Sequence, residues 1–105
     1  GDVGLSSVTV AELHYGVAKS AHVERNRSAL EQFLAPLVIV DFDVAAAAVY
    51  GTIRALLERR GTPIGSLDTL IAAHALSLDT TLVTNNEREF GRVPRLKLAN
   101  WAAET

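Results

Sequence analysis

Leu37-Val38-Ile39-Val40 is an uninterrupted aliphatic run set between Pro36 and Asp41. A strand with one wet face alternates apolar and polar residues, whereas a run without alternation suits a strand covered on both faces, as in a parallel sheet. Upstream, residues 22–35 predict a helix through the spacing of Leu30, Phe33 and Leu34, and Pro36 stops it by disfavouring helical geometry in the residue before it. Downstream, Asp43 predicts a helix cap, Val49, Ile53, Leu56 and Leu57 form one stripe, and Gly61 supplies a left-handed stop. Thr62-Pro63-Ile64-Gly65 is then a tight connection, after which Ser66 caps a helix with Leu67, Leu70, Ile71, Ala75 and Leu78 on its buried side. Residues 81–84 form a short strand ended by Asn85 and Asn86, residues 87–90 a helical turn, and residues 96–98 a last strand with Trp101 behind it. At the other end, residues 3–10 begin as a strand, and Thr9-Val10-Ala11-Glu12 fits a capping box that opens a helix bearing Leu13, Gly16 and Val17. Strands and helices are interspersed along the chain. That order predicts the α/β class, a three-layer α/β/α sandwich with a mostly parallel sheet, and places any site at the carboxyl ends of strands.

The 105 residues suit one domain around one core, and 49% hydrophobic against 21% charged residues is enough apolar material to build it. The chain has no cysteine, which excludes disulfides, thiolate metal sites and cysteine nucleophiles and fits a reducing cytoplasm. The apolar stretches at 34–40 and 44–49 are far shorter than the roughly 20 residues of a membrane helix, so no membrane span is expected. A formal charge of −2 argues against indiscriminate nucleic-acid binding. It leaves room for a nuclease that is acidic where it cuts, with phosphate contacts from arginines such as Arg54, Arg88, Arg92 and Arg95.

Three carboxylates fall where strands pass into helices: Glu12, Asp68 and Glu89. Oxygen ligands hold Mg²⁺ or Mn²⁺, and two such ions about 4 Å apart can activate water and stabilise the leaving oxygen of a phosphodiester. Each acid also has a structural explanation. Glu12 closes a capping box on Thr9, Asn86-Glu87-Arg88-Glu89 has the same form, and Asp68 sits in a first helical turn where the macrodipole favours negative charge. Periodicity alone leaves both explanations open. His14, His22 and His74 lack the spacing of a zinc helix and are assigned no chemistry.

The motifs themselves carry a resemblance. Ser6-Ser7-Val8-Thr9-Val10-Ala11-Glu12-Leu13 with Tyr15-Gly16 resembles the second acidic motif of VapC-type toxins of the PIN-domain ribonuclease family. Pro63-Ile64-Gly65-Ser66-Leu67-Asp68-Thr69-Leu70-Ile71-Ala72-Ala73-His74-Ala75 is similar to the third, and Leu82-Val83-Thr84-Asn85-Asn86-Glu87-Arg88-Glu89-Phe90 to the fourth. The resemblance covers nearly the whole chain with its motifs in order. It implies that Glu12, Asp68 and Glu89 bind metal, with Asn86 and Thr84 supporting the pocket, and that Glu89 stands where aspartate is commoner. It also implies a homodimeric toxin that cuts RNA by metal-assisted attack of water and is silenced by a VapB-like antitoxin.

The family's first motif, a hydrophobic strand ending in Asp-x-Asn, is not in these residues, and Asp2 between Gly1 and Gly4 is a poor substitute. The expectation is that an upstream segment, cleaved but bound or supplied by another chain, completes the sheet and the site. Without it, the chain would act as an antitoxin-binding and dimerisation module lacking catalysis. A further competing pattern is Val38-Ile39-Val40-Asp41-Phe42-Asp43-Val44, which resembles the nucleophile motif of haloacid-dehalogenase-like phosphatases. It lies mid-chain and lacks the matching lysine and acidic pair, so Asp43 is expected to be a helix cap.

Overall fold

The computed structural model describes residues 4–84 and 86–100. The expectations placed on Asp2, Asn85 and Trp101 lie outside the described residues. The chain divides between Phe42 and Asp43 into two compact units.

In the first unit, β1 (Gly4–Ser6) pairs in parallel with β2 (Val38–Val40), Leu5 standing opposite Ile39. Between them run α1 (Ser7–Ala18) and α2 (Val23–Leu34). Helix α1 starts earlier than the Thr9–Glu12 box predicts. Ser6 is extended and its Oγ accepts from the Val8 N–H at 3.1 Å, which satisfies a first-turn donor before Thr9 is reached. Ser7 Oγ accepts from the Phe42 N–H at 3.0 Å and so ties the start of α1 to the exit of β2. Helix α2 ends just before Ala35 and Pro36, as predicted, and buries Leu30.

The strand expected to be covered on both faces is not covered within its unit, since Val38 is 60% and Ile39 38% exposed. An aliphatic run records that a strand tolerates two apolar faces, while the cover itself comes from neighbouring elements. Among the described residues β2 pairs with β1 alone.

The second unit opens with α3 (Val44–Arg59), capped as expected by Asp43, whose Oδ1 accepts from the Ala46 N–H at 3.0 Å. Ile53 and Leu57 are buried, and the helix closes at Gly61 with φ +69°. There the Gly61 N–H donates to the Glu58 carbonyl and the Thr62 N–H to the Leu57 carbonyl, the paired bonds of a Schellman stop. Helix α4 (Ser66–Ser77) is capped by Gly65 rather than by Ser66. The Gly65 carbonyl accepts from both the N–H and the hydroxyl of Thr69, at 2.9 and 2.8 Å, making Ser66 the first helical residue.

The buried face of α4 is also narrower in side chain than the leucine pattern predicts. Thr69, Ala72, Ala73, His74 and Ala75 are buried, whereas Leu67 and Leu78 are each 48% exposed. Helix α4 packs chiefly on α3, and small side chains let two helix axes approach where leucine would hold them apart. Strand β3 (Thr81–Val83) then pairs in parallel with β4 (Lys97–Ala99), Leu82 opposite Leu98, on either side of the short α5 (Glu87–Phe90). Ile53, Leu57, Ala72, Phe90 and Val93 form the core of this unit. The α/β class and the parallel pairing are therefore those the sequence predicts, with one two-stranded sheet in each unit among the described residues. No helix among the described residues is long and apolar enough to cross a membrane.

Candidate acidic metal site

Asp68 is the third residue of α4, inside the first turn, where unpaired backbone N–H groups and the aligned peptide dipoles favour an anion. The carboxylate is partly buried and folds back towards the cap: a β-carbon at Gly65 would stand 3.7 Å from its Oδ2. Glu89 occupies the matching place in α5, third in a helix whose first turn also carries Glu87.

The capping explanations of Glu12 and Glu89 do not survive. Glu12 is the sixth residue of α1, beyond the first turn, and Thr9 lies inside the helix that Ser6 caps. Asn86 makes no side-chain cap bond to α5, because its backbone, at φ −104° and ψ 57°, is not in the extended conformation that aims a cap inward. The turn before α5 is set instead by Thr84, whose Oγ1 accepts from the Asn86 N–H at 3.0 Å. The Thr84 N–H in turn donates to the Ala99 carbonyl at 3.0 Å and so continues the β3–β4 ladder. Thr84 thereby fixes the chain that delivers Asn86 and Glu89.

Asp68 and Glu89 belong to the same unit. Ala72, four residues after Asp68 and therefore on the same face of α4, shares the core cluster with Phe90, the neighbour of Glu89. Glu12 belongs to the first unit. Within neither unit does any described set of three or more acidic or histidine side chains gather as metal ligands. Mg²⁺ is commonly held by one or two acids with water completing an octahedron, so carboxylates such as Asp68 and Glu89 are donors of the right chemical kind for it. An oxygen-only donor set without thiol suits that ion or Mn²⁺.

Other polar groups serve the fold. Asp43 caps α3, and His74 is 2% exposed inside the second unit, as expected of a packed histidine. A hollow of about 80 Å³ beside the start of α4 is lined by Arg54, Glu58, Pro63, Ile64, Ser66 and Thr69. Arg54 Nε is already paired with Glu58 Oε2 at 3.1 Å and its Nη1 with the Tyr50 hydroxyl at 2.9 Å. Those hydrogen bonds, Glu58 first, raise the guanidinium above its ordinary range. Sequence reasoning missed two links, Ser7 to Phe42 and Arg92 to Pro63, spanning 35 and 29 residues; both join segments whose proximity no local pattern encodes.

A family model described as PIN domain matches residues 1–96. Ribonuclease VapC2 of Rickettsia felis is 48% identical over 99 residues, covering 94% of this chain and 74% of that protein. The tRNA(fMet)-specific endonuclease VapC of Salmonella typhimurium is 46% identical over 97 residues, covering 92% of this chain and 74% of the relative. The crystal structure of VapBC2 from Rickettsia felis bound to a promoter DNA fragment superposes with a TM-score of 0.90 at 49% identity, over 93% of this chain and 74% of that one. With the motifs in order, the parallel strands in place and the match running through almost every residue, the chain belongs to the PIN-domain family, among its VapC-type members.

Proposed function

We propose that the chain is the toxin of a type II toxin–antitoxin pair and acts as a Mg²⁺-dependent endoribonuclease in the cytoplasm. Asp68 and Glu89 are metal ligands in the second unit, supported by Asn86 and Thr84, and Glu12 of the first unit is the further acid that the family resemblance assigns to metal binding. The observation that carries this reading is the placement of Asp68 and Glu89, each third in a helix of the second unit, whose core cluster includes both Ala72 and Phe90. Relatives named for cutting tRNA(fMet) make a structured tRNA the first substrate to test. The solved VapBC complexes favour a VapB-like partner, and a homodimer is the expected assembly.

A bound divalent ion would supply Lewis acidity and an activated water, so no covalent enzyme intermediate is needed. The chain's part is to present charge at fixed positions. Asp68 lies in the first turn of α4, a twelve-residue helix whose backbone dipoles favour a negative charge there. Thr84 holds the turn that delivers Glu89.

The test is Mn²⁺ binding, followed by electron paramagnetic resonance, together with cleavage of a labelled tRNA. Binding and cleavage that both disappear in Asp68→Ala support the nuclease. Cleavage that survives chelation and Asp68→Ala removes it. Antitoxin binding with no metal uptake and no cleavage would instead favour the non-catalytic module.

A further inference from the structure

Arg92 joins the two stretches of chain that carry Asp68 and Glu89. Its Nη1 donates to the Pro63 carbonyl at 2.9 Å, and its backbone N–H donates to the Glu89 carbonyl at 3.0 Å. Pro63 stands two residues before Gly65, which caps α4, and Asp68 follows in the first turn of that helix. The chain on either side of Arg92 is fixed. The Gly91 N–H donates to the Glu87 carbonyl at 2.8 Å, and Val93, 4% exposed, packs in the core beside Phe90. The backbone of Arg92 is thus anchored to α5, and its guanidinium reaches out to hold the loop that leads into α4.

We propose that Arg92 is a positioning residue, fastening loop 62–65 to the segment that leaves α5 and so setting the spacing of the Asp68 and Glu89 carboxylates for a divalent cation. This rests on the reading of those two acids as metal ligands. A cation-binding constellation works only within about 0.5 Å of its productive geometry, so a tether outside the ligand shell can govern affinity. The bond is charge-assisted on the donor side, and arginine supplies a rigid planar fork for it. Arg92 is exposed, so cutting the tether lets water reach the Pro63 carbonyl and leaves no buried acceptor unsatisfied. Removing it should therefore disturb metal affinity far more than stability, which separates positioning from a purely structural role.

Outer partners of metal ligands are worth about 10- to 100-fold in affinity, and a surface tether acting through backbone belongs below that, at about 3- to 10-fold. Arg92→Met keeps the aliphatic stem and removes the donors; Arg92→Ala removes both. Mn²⁺ binding by electron paramagnetic resonance and thermal unfolding are measured together for these variants, Arg92→Lys, Asp68→Ala and the parent protein. The expected result is Mn²⁺ affinity weakened about 3- to 10-fold in Arg92→Met, an unfolding midpoint within a few degrees of the parent, and partial recovery in Arg92→Lys, which retains a charged donor group without the planar fork. Should Arg92→Ala fail to fold, Arg92→Met gives the same reading. Parent-like affinity in Arg92→Met, with binding lost in Asp68→Ala, overturns the role of Arg92 and leaves the metal reading standing. A parent protein that takes up no Mn²⁺, or an Asp68→Ala variant that binds it normally, overturns both.

Discussion

Lys97 Nζ lies 3.0 Å from Asp79 Oδ1, and Asp79 itself is in the left-handed region at φ +52°. The two facts share a cause. Asp79 stands just past the end of α4, where its N–H donates to the Leu76 carbonyl and the Thr80 N–H to the Ala75 carbonyl, the same stop that Gly61 provides for α3. Aspartate tolerates that conformation better than most residues, and here it also reaches β4, next to β3. Asp79→Ala is expected to destabilise the protein by about 1 kcal/mol or less, from the exposed ion pair together with the smaller loss of aspartate's tolerance for that conformation. Asp79→Gly trades relief of the backbone for the lost pair and should stay within about 0.5 kcal/mol of the parent. Urea unfolding of the two variants checks this, and equal losses in both would mean that the ion pair, not the backbone, is what matters.

Two glycines make a sharper contrast. At Gly61 an added β-carbon meets nothing within 4 Å, so Gly61→Ala carries only the cost of φ +69°, about 1 kcal/mol, with Mn²⁺ affinity unchanged. At Gly91 the backbone φ is ordinary, but an added β-carbon would stand 2.6 Å from the Glu87 carbonyl oxygen, which cannot swing away as a side chain could. Gly91→Ala must displace the first turn of α5, and with it Glu89. A loss of about 1–3 kcal/mol in stability is expected, accompanied by weaker Mn²⁺ binding. Calorimetry with metal titration on both variants decides it; metal affinity untouched in Gly91→Ala would show that α5 does not position the site.

Asp41 and Asp43 look alike in sequence and differ in what they hold. Asp43 Oδ1 accepts from the Ala46 N–H, so Asp43→Ala should cost about 1 kcal/mol, and Asp43→Ser should recover most of it. Asp41 is exposed at the exit of β2, and Asp41→Ala should change neither stability nor RNA cleavage. Loss of cleavage in Asp41→Ala with the fold intact would revive the phosphatase-like reading of the D-x-D pattern.

Punctuation residues were the most legible part of the chain. Asp43, Gly61 and Pro36 act within a few residues of themselves, so local chemistry marks the ends of α2 and α3 correctly. The α4 face was misread because hydrophobic size is a poor guide when two helices approach closely. Alanine and threonine then occupy the contact and leucine is left at its margin. Position along the chain suggests a shared role for Glu12, Asp68 and Glu89, while the capping boxes that compete for two of them fail on backbone geometry that a sequence does not display. The Arg92–Pro63 link was invisible for a related reason: it depends on the fold having already brought two loops together.

Glu89 offers the most direct test of whether charge or reach matters at the site. Its carboxylate stands one methylene further from the backbone than the aspartate commoner at this motif, and α5, only four residues long, is braced by Phe90 in the core. Such a short helix can shift slightly to bring a shorter acid forward, whereas no shift restores a charge that the side chain has lost. Glu89→Asp should keep Mn²⁺ affinity within about tenfold of the parent, while Glu89→Gln, nearly identical in shape, should lose about a hundredfold or more, as expected when a ligating carboxylate becomes a neutral amide. The comparison needs only metal titration and a circular dichroism spectrum of each variant to show that the fold persists. If Glu89→Gln binds Mn²⁺ as the parent does, Glu89 serves the start of α5 rather than a cation, and the site must be sought without it.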